Sequence, residues 1–465
     1  MSPAVAVVAD DLTGAADTGA GFRRSGLATT VTWATSEGQE LDPAALRTDV
    51  IAIDTGTRAM ERSAARAVSE RVVAAVRASG ARILYKKVDS TFRGHVATEV
   101  AAALDRWHPG ALAVVAPAFP ATGRTTVAGH VVVDGSRLVD AHVPGLFADF
   151  GIETLHNDLS CVRDRRSLAA RLRMARARGA RVCVCDAETD ADLGDIAWAA
   201  AHLGPDVVWV GSAGLAATLP VALGLTGRDE RSLAVAESDL AKACGQKGGS
   251  SGPVLVAAGS TTEITRVQVA ELVAAGAVHL PVPVAALLAG DRSGGSHVAD
   301  CDSSGDAAGR AYSEMVLAHL RRGSDVVVTI EASRSAAVDA SSVPRRGPAP
   351  DALAPASGLM GPGATVQPDP RLAARLGELL RPCAGLVGGL VATGGDTATA
   401  ILTEWGTTAL RLVGEVEPGV PLSVSIAPRP VPVVTKAGGF GTVGTLAAAR
   451  ARLHKTAQPS GEGRT

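Results

Sequence analysis

The sequence predicts an α/β protein made of two α/β domains with mainly parallel sheets and a cleft between the domains. From residue 1 to about 225, short apolar runs alternate with Ala- and Arg-rich helical stretches, which is the order of parallel strands joined by helices. The periodicity is lost over 226–252, which end in a Gly- and Ser-rich run typical of linkers. A new apolar run at 254–257 then begins a second series of the same kind.

Each predicted strand is a short apolar run, and each predicted helix is a longer stretch with apolar residues at helical spacing. In the first domain the predicted strands are 5–8, 29–33, 50–53, 82–86, 112–116, 181–185 and 206–210, and the helices include 61–78, 96–106 and 165–178. An Asp-Gly pair at 134–135 between two apolar runs predicts a hairpin. In the second domain the predicted strands lie near 254–257, 278–284, 325–330, 386–392, 409–413 and 431–434.

These patterns divide the chain into four parts and mark two insertions. The parts are a first domain over 1–230, a linker over 231–252, a second domain over 253–455 and a disordered tail over 456–465. Gly-, Ser- and Pro-rich composition predicts surface insertions or loops at 290–309 and 340–364.

Composition excludes several classes of partner. The 465-residue chain has 46% hydrophobic residues, 20% charged residues and a formal net charge of -2, so a nucleic-acid backbone is not an expected partner. No apolar run is long enough for a membrane span, and the first residues lack the features of a signal peptide. Six scattered cysteines without a CxxC spacing predict free thiols and a cytoplasmic location. The oligomeric state stays open, with a homo-oligomer among the options.

Two adjacent carboxylates, Asp10 and Asp11, directly follow the first predicted strand, and Thr13 and Gly14 then begin a helix. Ligands of open α/β sheets bind outside the carboxyl ends of the strands, so this pair is placed for chemistry. The alternative is a solvated turn in which an aspartate caps the helix.

Two further strand ends carry polar groups. Arg58 follows the strand 50–53, where its guanidinium could bind a carboxylate through two parallel hydrogen bonds; a plain surface arginine is the alternative. The end of the strand 82–86 is followed by a cation and by carboxyl and hydroxyl groups, which are Lys87, Asp89, Ser90 and Thr91.

The second domain has glycine-rich strand ends that suit phosphate. Backbone N–H groups at a glycine-rich helix start attract phosphate oxygens, although a single glycine pair can be an ordinary turn. The dinucleotide fingerprint formally present at 439–444 fails because the chain ends before its second strand, and no Gly-Lys pair exists for a P-loop. The glycines and helix-start residues concerned are Gly394, Gly395, Asp396 and Thr397 in one loop and Gly438, Gly439 and Gly441 in another.

Taken together, these motifs resemble the four-carbon acid sugar kinase family. The resemblance covers nearly the whole chain in the expected order. It rests on ADDLTGAAD at 9–17, YKKVDSTFRG at 85–94, PAFP at 117–120 with GRT at 123–125 and GH at 129–130, TGGDTA at 393–398, GEVEPGVP at 414–421 and TKAGGFG at 435–441.

The resemblance implies an ATP-dependent kinase that phosphorylates the terminal hydroxyl of threonate, erythronate, 3-oxo-tetronate or a related acid in the interdomain active-site cleft. Acceptor contacts are implied for Asp10, Asp11, Arg58, Lys87, Asp89, Ser90 and Thr91. ATP contacts are implied for Ser260, Gly394, Gly395, Asp396, Thr397, Gly438, Gly439 and Gly441. Mg²⁺ is expected from the chemistry of phosphoryl transfer, and the sequence identifies no metal ligands.

The general base is assigned to Asp11, with Asp10 next and Asp396 as a competitor at the phosphate loop. Two departures from the family pattern bear on the acceptor and on one loop: His95 follows Gly94 where relatives commonly have Asn, and 333–335 lack a Gly-Pro turn. A kinase for another small hydroxy acid such as glycerate, and a non-catalytic sensor of sugar acids, remain the alternatives.

Overall fold

The computed structural model describes residues 2–34, 45–225, 238, 240, 252–288, 304–331 and 370–456. The strands are β1 Val5–Ala9, β2 Thr29–Trp33, β3 Val50–Asp54, β4 Ile83–Lys87, β5 Leu112–Ala116, β6 Arg124–Val127, β7 His130–Val133, β8 Ser136–His142, β9 Thr154–Asn157, β10 Val182–Cys185, β11 Val207–Gly211, β12 Val254–Ala258, β13 Val278–Pro283, β14 Val326–Glu331, β15 Gly389–Thr393, β16 Ala409–Glu417, β17 Val420–Ile426 and β18 Pro432–Lys436. The helices are α1 Leu12–Arg24, α2 Arg62–Ala78, α3 Val96–Arg106, α4 Val143–Ala148, α5 Leu159–Val162, α6 Arg165–Ala177, α7 Asp190–Ala201, α8 Ala213–Ala222, α9 Glu263–Ala274, α10 Val284–Leu288, α11 Ser304–Arg321, α12 Pro370–Leu380, α13 Gly395–Glu404 and α14 Thr445–Thr456.

The first half of the chain forms a parallel sheet with helices on both faces. Its strand order is β2-β3-β1-β4-β11-β5-β10-β9, and every neighbouring pair is parallel. Alternate residues of β1 enter different cores: Val5 and Val7 pack in the core that includes α1, and Ala6 and Val8 in the core that includes α2 and α3. Burial on both faces explains why these strands are continuous apolar runs.

The second half repeats this design with one antiparallel excursion. The order β13-β14-β12-β15-β18 is parallel, and β17 then pairs antiparallel with both β18 and β16. Strand β17, which the sequence analysis missed, lies between two recognised strands.

The two halves share one continuous sheet because β16 pairs antiparallel with β2, with Leu410 opposite Val31. Side chains reinforce this seam: the Thr32 hydroxyl donates to the Thr408 carbonyl at 2.9 Å, and the Trp33 indole N–H donates to Thr403 Oγ1 at 3.1 Å. Helix α1 packs against β16 as well as against β2 and β3. The sheet therefore fixes the relative position of the two halves.

The predicted fold class is confirmed, and the hairpin at 134–135 is present as β7 and β8. One local prediction changes, because residues 304–309, included in the loose segment 290–309, form the first turns of α11. The rest of that segment, the insertion 340–364, and nearly all of the predicted linker and tail lie outside the described residues. In the described part of the chain, no helix has the length and apolar character needed to cross a bilayer.

A buried ion pair joins β4 to α3. Lys86 Nζ lies 2.8 Å from Glu99 Oε2, and the side chains are only 1% and 2% exposed. The Thr57 hydroxyl donates to the other Glu99 oxygen, and Lys86 also donates to the Val8 carbonyl at 3.3 Å. Lys86 is thus on the opposite face of β4 from Lys87, with its charge neutralised internally.

We expect Lys86→Met to lower the free energy of unfolding by about 3–5 kcal/mol, because it leaves Glu99 charged, buried and unpaired. Urea denaturation would measure the loss. The double variant Lys86→Met/Glu99→Leu should recover most of it, and Arg66→Ala, which breaks an exposed ion pair with Glu70, should cost no more than about 1 kcal/mol. A single variant as stable as the wild type would contradict a structural role for Lys86.

Candidate active site

A cleft between the two halves brings together groups from both. The first half contributes the ends of β1, β4 and β11 and the start of α1; the second half contributes the β16–β17 turn and the loop after β18. Its lining residues are Asp11, Thr13, Gly14, Asp17, Arg58, Lys87, Asp89, Ser90, Arg93, Phe119, Ser212 and Ala213 from the first half and Gly419, Ala437 and Phe440 from the second.

Arg58 holds the two adjacent carboxylates together. Its Nε and one terminal nitrogen donate to the two oxygens of Asp10 at 2.8 and 2.9 Å, and its other terminal nitrogen donates to Asp11 at 2.9 Å. Arg58 lies in a single 3₁₀ turn after β3, which Gly56 begins with φ 62°. Burial alone would raise the pKa of Asp10, but Arg58, with Lys86 and Lys87, holds that pKa below its usual value.

Asp11 has a second role as the N-cap of α1. One carboxylate oxygen accepts from the Gly14 N–H at 2.9 Å, and the other accepts from the Thr13 hydroxyl at 2.7 Å as well as from Arg58. Asp11 therefore both caps α1 and lines the cleft. In the described structure, the bidentate edge of Arg58 is occupied by Asp10.

Lys87 and the loop that follows it form the next part of the cleft wall. Lys87 is buried against Gly14, where an added Cβ would lie 3.0 Å from Lys87 Nζ. Asp89 accepts two hydrogen bonds from the Arg93 guanidinium at 2.9 Å, which hold the Asp89 pKa below its usual value although burial opposes this. Ser90 lines the cleft, whereas Thr91 donates to Asp89 and does not line it.

Asp54, at the end of β3, lies where the two halves meet. It accepts from the Gly56 N–H at 2.7 Å and, across the domain boundary, from the Thr399 hydroxyl of α13 at 3.4 Å. Burial, followed by the negative charge of Asp11, raises its pKa to about 8. This raised pKa favours the protonated form of Asp54 near neutral pH, and protonation reduces negative charge beside the acid pair.

The glycine-rich strand ends of the second half lie close together. A Cβ on Gly438 would lie 2.1 Å from Ser260 Oγ, and one on Gly259 would lie 1.9 Å from Thr397 Oγ1, so only glycine allows these loops to touch. Gly394 begins α13 with φ 95°, and its N–H donates to the Lys436 carbonyl at 2.9 Å. No neighbouring atom would obstruct a Cβ on Gly439.

The buried side chain of Lys436 holds the loop after β18 in place. Its ammonium donates to three backbone carbonyls, those of Ala437, Gly438 and Phe440, at 2.9, 3.1 and 3.0 Å. Burial lowers its pKa to about 8. The lysine thus satisfies carbonyl groups on the inner side of the loop, although the sequence analysis gave it no role.

The remaining predicted residue, Asp396, lies in the first turn of α13. Loss of water at the domain boundary and the charge of Asp11 raise its pKa. The residues predicted to bind ATP lie next to those predicted to bind the acceptor at this point. A Cβ on Gly395, which precedes Asp396, would lie 3.4 Å from Asp11 Oδ2.

Three residues that the sequence analysis left without a role also belong to the cleft region: Asp17, Asp54 and Lys436. Asp17 lines the cleft from a helix in which almost every residue is buried. The sequence signal for Asp17 is that it is the only carboxylate in a helix composed mostly of small residues. Phe119 and Phe440 face the cleft from loops; both lie in the motifs quoted above, at 117–120 and 435–441, although neither received a role there.

Comparisons with known proteins cover almost the entire chain. Family models for a sugar-binding N-terminal domain and a nucleotide-binding C-terminal domain match residues 5–219 and 255–446. The D-threonate kinase of Cupriavidus necator is 37% identical over 98% of this chain and 99% of the relative, and that of Bordetella bronchiseptica is 35% identical over 94% and 95%. The 3-oxo-tetronate kinase of C. necator is 27% identical over 94% of both chains. A solved structure from Salmonella typhimurium LT2 shares the fold, with a TM-score of 0.69 at 21% identity over 97% of this chain and 100% of the other.

We expect Asp54→Asn to stabilise the protein increasingly as pH rises. In the unfolded chain Asp54 has a pKa near 3.8, against about 8 when folded; between these values the folded state holds a proton that the unfolded state has released, so the wild type loses stability as pH rises. Asparagine is neutral throughout and still accepts from Gly56. Urea unfolding at about pH 5, 7 and 9 should show a growing difference between variant and wild type that levels off above about pH 8. A difference independent of pH would contradict the neutral-acid assignment.

Proposed function

Since the chain belongs to the four-carbon acid sugar kinase family, we propose that it transfers the γ-phosphoryl group of ATP to the terminal hydroxyl of a four-carbon sugar acid, with D-threonate as the acceptor. The observation that carries this proposal is the cleft itself, in which the strand ends of the sugar-binding half face the β16–β17 turn and the glycine-rich loop after β18 of the nucleotide-binding half. The choice of D-threonate follows the relatives at 35–37% identity, in preference to the 3-oxo-tetronate kinase at 27%.

The acceptor side is suited to a hydroxylated carboxylate. Arg58 and Lys87 supply positive charge for the carboxylate group, and Asp10, Asp11 and Asp89 can accept hydrogen bonds from hydroxyls. Arg58 has donors on its terminal nitrogens beyond those bound to the acid pair. Ser90 adds a neutral hydroxyl at the same surface, and Thr91 would act through Asp89.

The nucleotide side is suited to phosphate. The N–H groups at the start of α13 and in the loop after β18 can bind phosphate oxygens, and the close contact of Ser260 with Gly438 joins a hydroxyl to this surface. Catalysis of phosphoryl transfer depends mainly on positioning and on stabilising charge. In a cleft whose opposite walls bind the phosphoryl donor and the acceptor, the two substrates are positioned for transfer.

Mg²⁺ is part of the proposal because ATP-dependent transfer ordinarily requires it. Among the described residues, no group of three or more His, Cys, Asp or Glu side chains is arranged to hold a metal ion. This arrangement fits a Mg²⁺ ion that arrives on the nucleotide phosphates and needs only one or two protein carboxylates. We propose Asp396, in the first turn of α13, as one of these carboxylates.

A screen for ADP release over isomers of threonate, erythronate, 3-oxo-tetronate and glycerate tests the proposal directly. D-Threonate should give the highest kcat/KM. Turnover only with glycerate would replace the acceptor, and saturable binding of sugar acid and ATP without ADP release would indicate a sensor.

We expect Arg58→Ala to weaken use of the acceptor far more than use of ATP. Loss of a charge-assisted contact should cost on the order of 2–4 kcal/mol, or roughly 30- to 700-fold in kcat/KM for the acceptor. Steady-state kinetics with each substrate varied would measure this, with exposed Arg66→Ala as the matched control. Unchanged acceptor kinetics would reduce Arg58 to a structural partner of Asp10 and Asp11.

A matched pair of serine variants should separate the two walls of the cleft. Ser260→Ala should raise the KM for ATP by about 2- to 10-fold, the effect of one neutral hydrogen bond, and leave the acceptor KM unchanged. Ser90→Ala should do the reverse. If both variants affect the same substrate, the assignment of the walls is wrong.

A further inference from the structure

The acid pair at the end of β1 is poorly suited to remove a proton. Asp10 is bound at both oxygens by Arg58, and the oxygens of Asp11 accept from Arg58, Thr13 and the Gly14 N–H. These donors occupy the carboxylate oxygens that would have to accept the proton. A base for the acceptor hydroxyl needs a free oxygen in the cleft.

Asp17 provides such an oxygen. It lies in α1, is 9% exposed and lines the cleft. No hydrogen bond or ion pair joins its carboxylate to any residue that the structure describes. In this respect it differs from Asp10, Asp11, Asp54 and Asp89, which all have donors.

The side chain of Asp17 is directed towards the nucleotide-binding half. A Cβ on Gly419, in the β16–β17 turn, would lie 3.8 Å from Asp17 Oδ1, and the same Cβ would lie 3.0 Å from the ring of Phe440. Phe440 belongs to the glycine loop after β18, where phosphate is expected. Asp17 thus lies between the acceptor wall and this phosphate loop.

We propose that Asp17 is the catalytic residue that takes the proton from the acceptor hydroxyl during phosphoryl transfer. This inference rests on the proposed kinase function. The hydroxyl oxygen forms a bond to the γ-phosphorus, the bond from that phosphorus to the β–γ bridging oxygen breaks, its electron pair leaves with ADP, and the hydroxyl proton passes to the Asp17 carboxylate.

The electrostatic surroundings suit this role. Burial raises the pKa of Asp17 to about 6; Glu415 of β16 and Asp11 also raise it, whereas Lys87 of β4 and Arg24 of the same helix oppose this rise. Arg24 and Glu415 pair with each other, and Glu415 accepts from the Gly419 N–H at 3.0 Å. A carboxylate with this pKa is ionised at neutral pH and is more basic than an ordinary aspartate.

Stability does not explain the residue. An ionised carboxylate that is buried without a donor costs free energy, and a native pKa above the unfolded value means that the protein loses stability as pH rises from about 4 to about 6. A neutral residue at this position should therefore be at least as stable at pH 8. Catalytic residues commonly carry such a cost.

The test compares full-length Asp17→Asn and Asp17→Glu with wild type, and with Asp149→Asn, an exposed aspartate at the end of α4. ADP release is measured with D-threonate and ATP between about pH 5 and 9, together with melting temperature. We expect Asp17→Asn to lower kcat by about 10²- to 10⁴-fold, to leave the KM for ATP within about threefold, and to melt no earlier than wild type at pH 8. The rise of kcat/KM through about pH 6 should disappear in Asp17→Asn, be retained in Asp17→Glu at reduced kcat, and be unchanged in Asp149→Asn.

Three results would overturn the inference. They are a kcat for Asp17→Asn within about threefold of wild type, a raised acceptor KM at unchanged kcat, and an unaltered pH limb. If Asp17→Asn melts early, Asp17→Ser provides the second variant, and a folded Asp17→Ser with wild-type kcat would equally overturn it. Wild-type protein that releases no ADP with any four-carbon acid would instead refute the proposed function, so the two failures are distinguishable.

Discussion

The antiparallel pairing of β16 with β2 is the contact on which the cleft depends. It joins two sheets that would otherwise be separate into one. Strand β16 of the nucleotide-binding half lies next to β2, and β3 separates β2 from β1, whose end carries the acid pair. Backbone hydrogen bonds across a sheet are directional and closely spaced, so this seam sets both distance and orientation. Helix α1, which Asp11 caps, packs on β16. The pairing therefore also fixes the position of α1 and of its cleft residues.

The aspartates around the cleft are the same residue type, but their surroundings give them different pKa values. Six aspartates lie in or beside it: arginines hold the pKa values of Asp10 and Asp89 low, Asp11 shares Arg58 with Asp10, and burial raises the pKa values of Asp17, Asp54 and Asp396. Like charges this close cannot all be ionised at low cost. The separation of their pKa values allows some of these groups to bind and others to accept protons, as a site for transfer to a hydroxyl requires.

The nucleotide side shows how backbone can form a binding surface. Gly259 lies against Thr397 and Gly438 against Ser260, at contacts where any Cβ would collide. The Lys436 ammonium donates hydrogen bonds to the inward carbonyl groups of the loop after β18. The Phe440 N–H adds a further bond within this loop, to the Ala437 carbonyl at 3.1 Å. This division of roles cannot be recognised from the glycine pattern alone, because Lys436 contributes through a side chain whose burial is a tertiary property.

The sequence by itself determined the fold class, most strand positions and the family, because apolar runs, turn signals and ordered motifs are local properties of the chain. It also indicated which strand ends carry polar groups, and the structure places Asp11, Arg58, Lys87 and Ser90 around one cleft. Only the tertiary structure decided that Lys86 is paired inside, that Arg58 is shared by Asp10 and Asp11, that burial raises the pKa of Asp54, and that Asp17 has no hydrogen-bond donor among the described residues. These outcomes depend on burial and on partners outside the local sequence, which lie 48 positions apart for Arg58 and Asp10 and 345 apart for Asp54 and Thr399. Burial and distance through space are not encoded in local sequence periodicity.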